Sequence, residues 1–224
     1  MRRYSVARRR LIVASTVVLA SLVVGIGAAT ALAGGGNSAN AKLCQQNGWM
    51  SLLRSDGTSF SNTGDCVSYA AQGGTLHPVF TFTAGLNGTS QNPPVASGGT
   101  GTVTVTWNTL TNEMTVDASF SGLTTGTIAS HIHCCVAPPG NAGVATTVPT
   151  FPGFPLGVTA GTYSHTFDMT NPASYNPAFV TAHGGTAAGA EAALLAGLLG
   201  GQAYLNVHTT MFPGGEIRGF LEQT

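Results

Sequence analysis

Residues 102–120, TVTVTWNTLTNEMTVDASF, determine the fold class of this chain. Apolar and polar residues alternate through two runs, 103–107 and 114–120, and a period of two is that of a β-strand with one buried face. The segment NTLTNE between the runs favours a turn. The two runs therefore predict a β-hairpin whose outer face is covered largely by threonine.

The same alternation recurs on both sides of this hairpin. It predicts four more strands, at 80–84, 163–169, 202–209 and 215–221. One helix is predicted over 186–199, TAAGAEAALLAGLL, because alanine and leucine favour helices and two glycines follow. Short strands separated by Gly- and Pro-rich turns predict an all-β, antiparallel, Greek-key-like β-sandwich with one short helix. Residues 136–160, rich in Pro, Gly and Val, are expected to form a long surface excursion.

The composition excludes several classes of protein. Charged residues make up only 7% of the chain, against roughly 25% in an average soluble domain. A nucleic-acid partner is excluded, because no basic patch can be assembled to displace counterions from phosphates. A coiled coil is excluded because its exposed faces need Glu and Lys.

The N-terminus is predicted to be a signal peptide spanning residues 1–33. Five arginines precede an uncharged stretch, 11–33, that ends in the cleavage signature Ala31-Leu32-Ala33. An apolar stretch of this length could also span a bilayer as an uncleaved anchor, but its glycines and small residues favour cleavage. Cleavage would leave three basic residues against eight acidic ones, a net charge of −5. The mature chain is then expected to be extracytoplasmic, secreted or in the cell envelope, without a stable membrane span.

The four cysteines, Cys44, Cys66, Cys134 and Cys135, suggest disulfides in that compartment. Three pairings exist, and Cys44–Cys66 is favoured because both residues lie in one short segment. Residues 34–76 are predicted to be a flexible linker, GGGNSANAKL at 34–43, followed by a small disulfide-stapled segment, ahead of a main domain at 77–224. For the adjacent Cys134 and Cys135, a vicinal disulfide, thiol ligation of a metal and pairing elsewhere all stay open.

A candidate metal site begins at Ser130-His131-Ile132-His133. At period two, His131 and His133 project from one strand face, so both can reach a single ion. His208 in Asn-Val-His-Thr is predicted to be the third ligand. Imidazole suits copper or zinc better than magnesium or calcium, and copper is preferred by the Irving–Williams order. The alternative is that these histidines bind nothing.

Other candidates for chemistry are weaker. His165, between Tyr163 and Phe167, is predicted to be a core histidine, and neither His77 nor His183 is assigned a role. The sequence has no Gly-x-Ser-x-Gly elbow, no paired carboxylates in a cleft-like arrangement and no phosphate-cradling Gly motif before a helix. No catalytic residue is therefore predicted.

Three ordered motif groups resemble the CHRD domain, a module first named from chordin. They are Ala84-Gly85-Leu86-Asn87-Gly88 with Pro93-Pro94-Val95, then Gly122-Leu123 with His131-Ile132-His133, and Ala203-Tyr204-Leu205-Asn206-Val207-His208-Thr209 with Pro213-Gly214-Gly215-Glu216-Ile217-Arg218-Gly219. The resemblance implies an extracytoplasmic β-sandwich module, with no settled activity. The chain departs from the family at Cys134-Cys135, where many members carry small residues.

Residues 121–126, SGLTTG, ahead of His131 and His133 also resemble a copper-binding strand of copper-zinc superoxide dismutases, and Val207-His208 resembles a later copper ligand. The bridging histidine and the zinc-ligand loop of those enzymes are missing. Two hypotheses follow. The first is an exported, non-enzymatic module that binds copper, or less favourably zinc, and an extracellular protein or envelope polymer. The alternative is a copper-dependent redox enzyme of the dismutase type.

Overall fold

The computed structural model describes residues 37–224, so the predicted signal peptide at 1–33 lies outside the described residues. The strands are β1 (Leu52–Leu53), β2 (His77–Asn87), β3 (Thr100–Asn108), β4 (Glu113–Ser121), β5 (Thr127–Cys134), β6 (Gly161–Asp168), β7 (Ala203–Thr209), β8 (Ile217–Phe220) and β9 (Glu222–Gln223). The α-helices are α1 (Asn37–Leu43), α2 (Thr63–Ala71), α3 (Pro177–Ala182) and α4 (Ala187–Leu199). The predicted helix is therefore α4, and three shorter α-helices accompany it within residues 37–224.

The strands form one antiparallel sheet in the order β5-β7-β8-β2-β3-β4-β6, with β1 and β9 also paired to β2. The hairpin predicted from 102–120 is confirmed as β3 and β4, which place Val105 opposite Val116 and Trp107 opposite Met114. After β4 the chain crosses to the far end of the sheet to form β5, and it returns to form β6 beside β4. These crossings agree with the predicted Greek-key-like connectivity.

The core lies between the two ends of this curled sheet. A single buried cluster joins Val105 of β3 and Phe167 of β6 to Ile132 of β5 and Leu205 of β7. Helix α4 adds Leu194 to the same cluster. One apolar core enclosed by the inward faces of a curled antiparallel sheet is the arrangement predicted as an all-β sandwich.

The N-terminal segment has a small core of its own. Cys44 and Cys66 are joined by a disulfide, as predicted, and both are buried with leucine, phenylalanine and alanine side chains. Residues 37–43, expected to be a flexible linker, form helix α1, which packs against α2. Across residues 37–224, no helix combines the length and apolar character that a bilayer crossing requires.

The stretch 136–160 is a long connection that runs largely at the surface, as its composition predicted, but it is also anchored on the domain. Its backbone pairs along the free edge of β5, where the amide of Ala145 donates to Ile132 O and the amide of Phe151 donates to Ser130 O. The side chains of Phe151 and Phe154 are buried in the core. An unpaired strand edge and buried aromatic rings together explain why this loop packs on the domain.

Candidate metal centre

The three predicted ligands meet on the outer face of strands β5 and β7. His131 lies opposite Asn206, and His208 lies opposite Ala129, so all three histidines share one side of the sheet. The intervening Ile132 points into the core instead. Strand parity places His131 with His133, and the β5–β7 register brings His208 to them.

The imidazole rings form a nearly regular triangle. Ring centroids are 5.9 Å apart for His131 and His133, 5.3 Å for His131 and His208, and 5.8 Å for His133 and His208. One ring nitrogen from each histidine lies within 4.8 Å of the others. The side chains are buried, with relative exposures of 6%, 8% and 8% in chain order. The cluster can therefore surround a single ion.

Each imidazole is held by one backbone carbonyl. The contacts are His131 Nε2 with Pro149 O at 2.7 Å, His133 Nδ1 with Ala142 O at 2.9 Å and His208 Nδ1 with Pro213 O at 2.9 Å. A carbonyl oxygen only accepts hydrogen bonds, so each of these nitrogens carries the proton of a neutral ring. The opposite nitrogen of each ring is thereby left with a lone pair.

Those opposite nitrogens are buried and have no hydrogen-bond partner in the part of the chain that the structure describes. They are His131 Nδ1, His133 Nε2 and His208 Nε2. A buried polar atom without a partner costs roughly 1–3 kcal/mol of folding free energy. Three such acceptors in one cluster would therefore destabilise the folded chain. Three converging lone pairs, each ring oriented by a carbonyl on its other side, fit the ligand set of a transition metal.

Burial also keeps the histidines in the form that binds metal. Removal from water lowers the pKa of all three imidazoles from the usual 6.5, with the pKa of His133 lowered to about 4. The carbonyl contacts oppose this shift only in part. The three rings are therefore neutral near pH 7, as ligation requires.

No acidic group of residues 37–224 forms an ion pair with the cluster. Among residues 37–224, the only ion pair joins Arg54 to Asp65, which both belong to the N-terminal segment. The neighbours on the same face are Tyr204, whose ring stacks on His133 at 4.9 Å, and Asn206, whose Oδ1 accepts from Gln91 Nε2 at 2.7 Å. A bound cation would thus have three neutral ligands from the described part of the chain.

The other candidates from the sequence lie elsewhere. His165 packs between the rings of Tyr163 and Phe167 on the core face of β6. Cys134 and Cys135 are bonded to each other, and their sulfurs lie against Gly197 of α4 rather than in the histidine cluster. Neither set adds a ligand.

The groups that orient the ligands were not predicted from the sequence. The three carbonyls have no side-chain signature, so no residue pattern could have revealed them. Arg218 had a signal, since it is one of only three basic residues after residue 33 and lies in a strand between apolar neighbours. Its buried guanidinium packs on Tyr204, the ring that stacks on His133.

The family model of the CHRD domain matches residues 82–221. No curated protein and no solved structure matches the chain. The matched region contains both strands that carry the histidines and the loops that hold their rings. The similarity to copper-zinc superoxide dismutases stays a likeness of two short motifs.

Proposed function

Because this chain belongs to the CHRD domain family, we propose that it is an exported, non-enzymatic binding module whose three-histidine centre holds one copper ion. One observation carries this proposal: the unprotonated nitrogens of His131, His133 and His208 converge, buried and without another partner among residues 37–224. Each ring is already fixed by a carbonyl, so binding the ion would cost little side-chain conformational entropy.

Copper is preferred over zinc for chemical reasons. Three imidazoles suit either metal, and at equal availability the Irving–Williams order favours copper. No carboxylate, which would favour harder cations, joins the histidine cluster within residues 37–224. The protein or envelope polymer that the module would bind is proposed from the extracytoplasmic setting and the CHRD family alone.

Copper titration tests the centre. We expect the wild type to bind one copper ion per chain, and His131→Ala, His133→Ala and His208→Ala each to weaken binding by more than about a hundredfold, because loss of a ligand costs more than loss of its supporting group. His165→Ala is the matched control and should bind like the wild type. Equal affinities for all five proteins would refute the site, and a preference for zinc in direct competition would refute the choice of copper.

Export rests on the predicted signal peptide at 1–33 and is supported by the Cys44–Cys66 disulfide, which persists in an oxidising compartment. Intact-mass measurement of the protein from an extracytoplasmic fraction should give a chain that begins at Gly34. A mass that still includes the N-terminal arginines would show that the segment is retained as an anchor.

A copper redox enzyme of the dismutase type is the second candidate. It is favoured by one observation, namely that three protein ligands leave a coordination position for a small molecule. Stopped-flow measurement of superoxide decay by copper-loaded protein separates the two candidates. Decay near the diffusion limit would establish the enzyme, whereas decay no faster than with the His133→Ala variant would leave the binding module.

A further inference from the structure

Arg218 is a buried cation that has no carboxylate partner among residues 37–224. Its relative exposure is 1%, and the only ion pair of residues 37–224 lies elsewhere. The carboxylate of Glu216, the nearest acid along the chain, instead accepts hydrogen bonds from Ser97, Thr124 and Thr209. Burying a charge among neutral groups is costly, and well-packed apolar residues commonly serve stability as well or better. The position of the guanidinium therefore calls for another explanation than stability.

The guanidinium clamps the segment directly before Ala142, the residue whose carbonyl holds His133. Nη2 donates to Pro139 O at 2.8 Å, and Nη1 donates to Gly140 O at 3.3 Å and to Asn141 Oδ1 at 2.7 Å. Nε donates to Ser90 O on the neighbouring loop. Three consecutive residues are thus fixed by one planar fork, a geometry that lysine cannot reproduce.

Arg218 reaches His133 by a second route through Tyr204. The guanidinium carbon lies 4.6 Å from the centroid of the Tyr204 ring, and the same ring stacks on His133 with an interplanar angle of 5°. The Tyr204 hydroxyl accepts from the amide of Ala142 at 3.1 Å. Two groups orient His133, the Ala142 carbonyl and the Tyr204 ring. Arg218 holds the residues directly before Ala142 and packs on Tyr204, so it supports both groups.

We propose that Arg218 is a positioning residue of the metal centre, which fixes the loop 139–142 and Tyr204 so that His133 Nε2 points at the ion. This inference rests on the proposed function, since it concerns the same centre. It assigns a role in metal affinity to a residue that touches no ligand atom. The role is specific to one ligand, because His131 and His208 are held by other carbonyls, those of Pro149 and Pro213.

A double-mutant cycle on copper affinity tests the inference. Arg218→Lys keeps the charge and removes the fork, and it should weaken copper binding by about 10- to 100-fold, the usual cost of losing a group that orients a ligand. In the His133→Ala background the same substitution should change the residual affinity by less than about twofold, because the ligand that it positions is gone. The electron paramagnetic resonance spectrum of copper bound to Arg218→Lys should show altered nitrogen coupling.

Two further variants separate positioning from stability. Val105→Ala destabilises the core from strand β3, which pairs with neither β5 nor β7, and it should leave copper affinity unchanged. Asn141→Ala removes one contact of the fork at an exposed residue, and its loss of affinity should also vanish in the His133→Ala background. This variant provides the test if Arg218→Lys does not fold.

Each outcome decides between the proposals. If copper affinity does not depend on the histidines, the proposed centre and this inference fail together. If the histidine variants lose copper as proposed but Arg218→Lys and Asn141→Ala bind like the wild type, only the role of Arg218 is wrong. An equal loss in the wild-type and His133→Ala backgrounds would likewise overturn it, since a general structural effect does not depend on His133.

Discussion

Acidification of the metal-free protein should reveal the buried His133. Its pKa is lowered by burial from 6.5 to about 4, so the unfolded chain binds a proton on this residue that the folded chain does not. A group of this kind contributes stability above its unfolded pKa, and the contribution is lost as the pH falls toward the folded pKa. The free energy of unfolding should therefore decrease between these two values.

The size of the effect follows from the two pKa values of His133. Lowering the pH from about 7.5 to about 4.5 should reduce the free energy of unfolding by roughly 2 to 3 kcal/mol through this residue alone. The groups that surround it are His131, His208 and Arg218, and all of them disfavour an additional positive charge. Glu191 acts in the opposite direction, because burial raises its pKa.

Comparison with His133→Asn isolates the contribution of the one histidine. Urea denaturation in the presence of a chelator, followed by the fluorescence of the buried Trp107, gives the free energy of unfolding at each pH. The wild type should lose more stability on acidification than the variant, by the amount stated above. Identical pH dependence in the two proteins would refute the burial of a neutral imidazole at this position. The same shift implies that copper is retained to a lower pH than the value of about 6.5 expected for free histidine.

Two further predictions concern the disulfides. A Cβ atom at Gly197 would overlap both sulfurs of the vicinal disulfide, so Gly197→Ala should destabilise the protein by about 1–3 kcal/mol. The control Gly98→Ala places its Cβ in open space and should not destabilise it. Equal melting temperatures for the two variants would contradict this packing. Replacing Cys44 and Cys66 together by serine should lower the stability of the N-terminal segment by roughly 3 kcal/mol and expose it to limited proteolysis. Unchanged protease resistance would show that its small core suffices without the disulfide.

The strands of this protein could be predicted because their signal is local. Val105 and Val116 alternate with polar neighbours, and a buried sheet face needs no more information than that period. The pairing of His131 with His133 on one face follows from the same period. The length and end of α4 were likewise predictable, since alanine, leucine and a following glycine act within a few residues.

What the sequence pattern could not predict was where the stretch 136–160 is anchored on the domain. Its Pro, Gly and Val content is typical of loops, yet Phe151 enters the core and the backbone covers the edge of β5. This outcome depends on which strand edge stays open, and that is decided only when β5 takes the end position of the sheet. Local composition carries no information on such an edge.

The sequence by itself determined the all-β class, the strand parity of His131 and His133 and the proximity of Cys44 to Cys66 in one segment. The tertiary structure alone decided that His208 completes the cluster, because β5 and β7 are paired across a long separation in the chain. It also decided which nitrogen of each ring is free, since the carbonyls of Ala142, Pro149 and Pro213 orient the imidazoles. Every residue carries a carbonyl, so only the path of the folded backbone determines which ones reach a histidine.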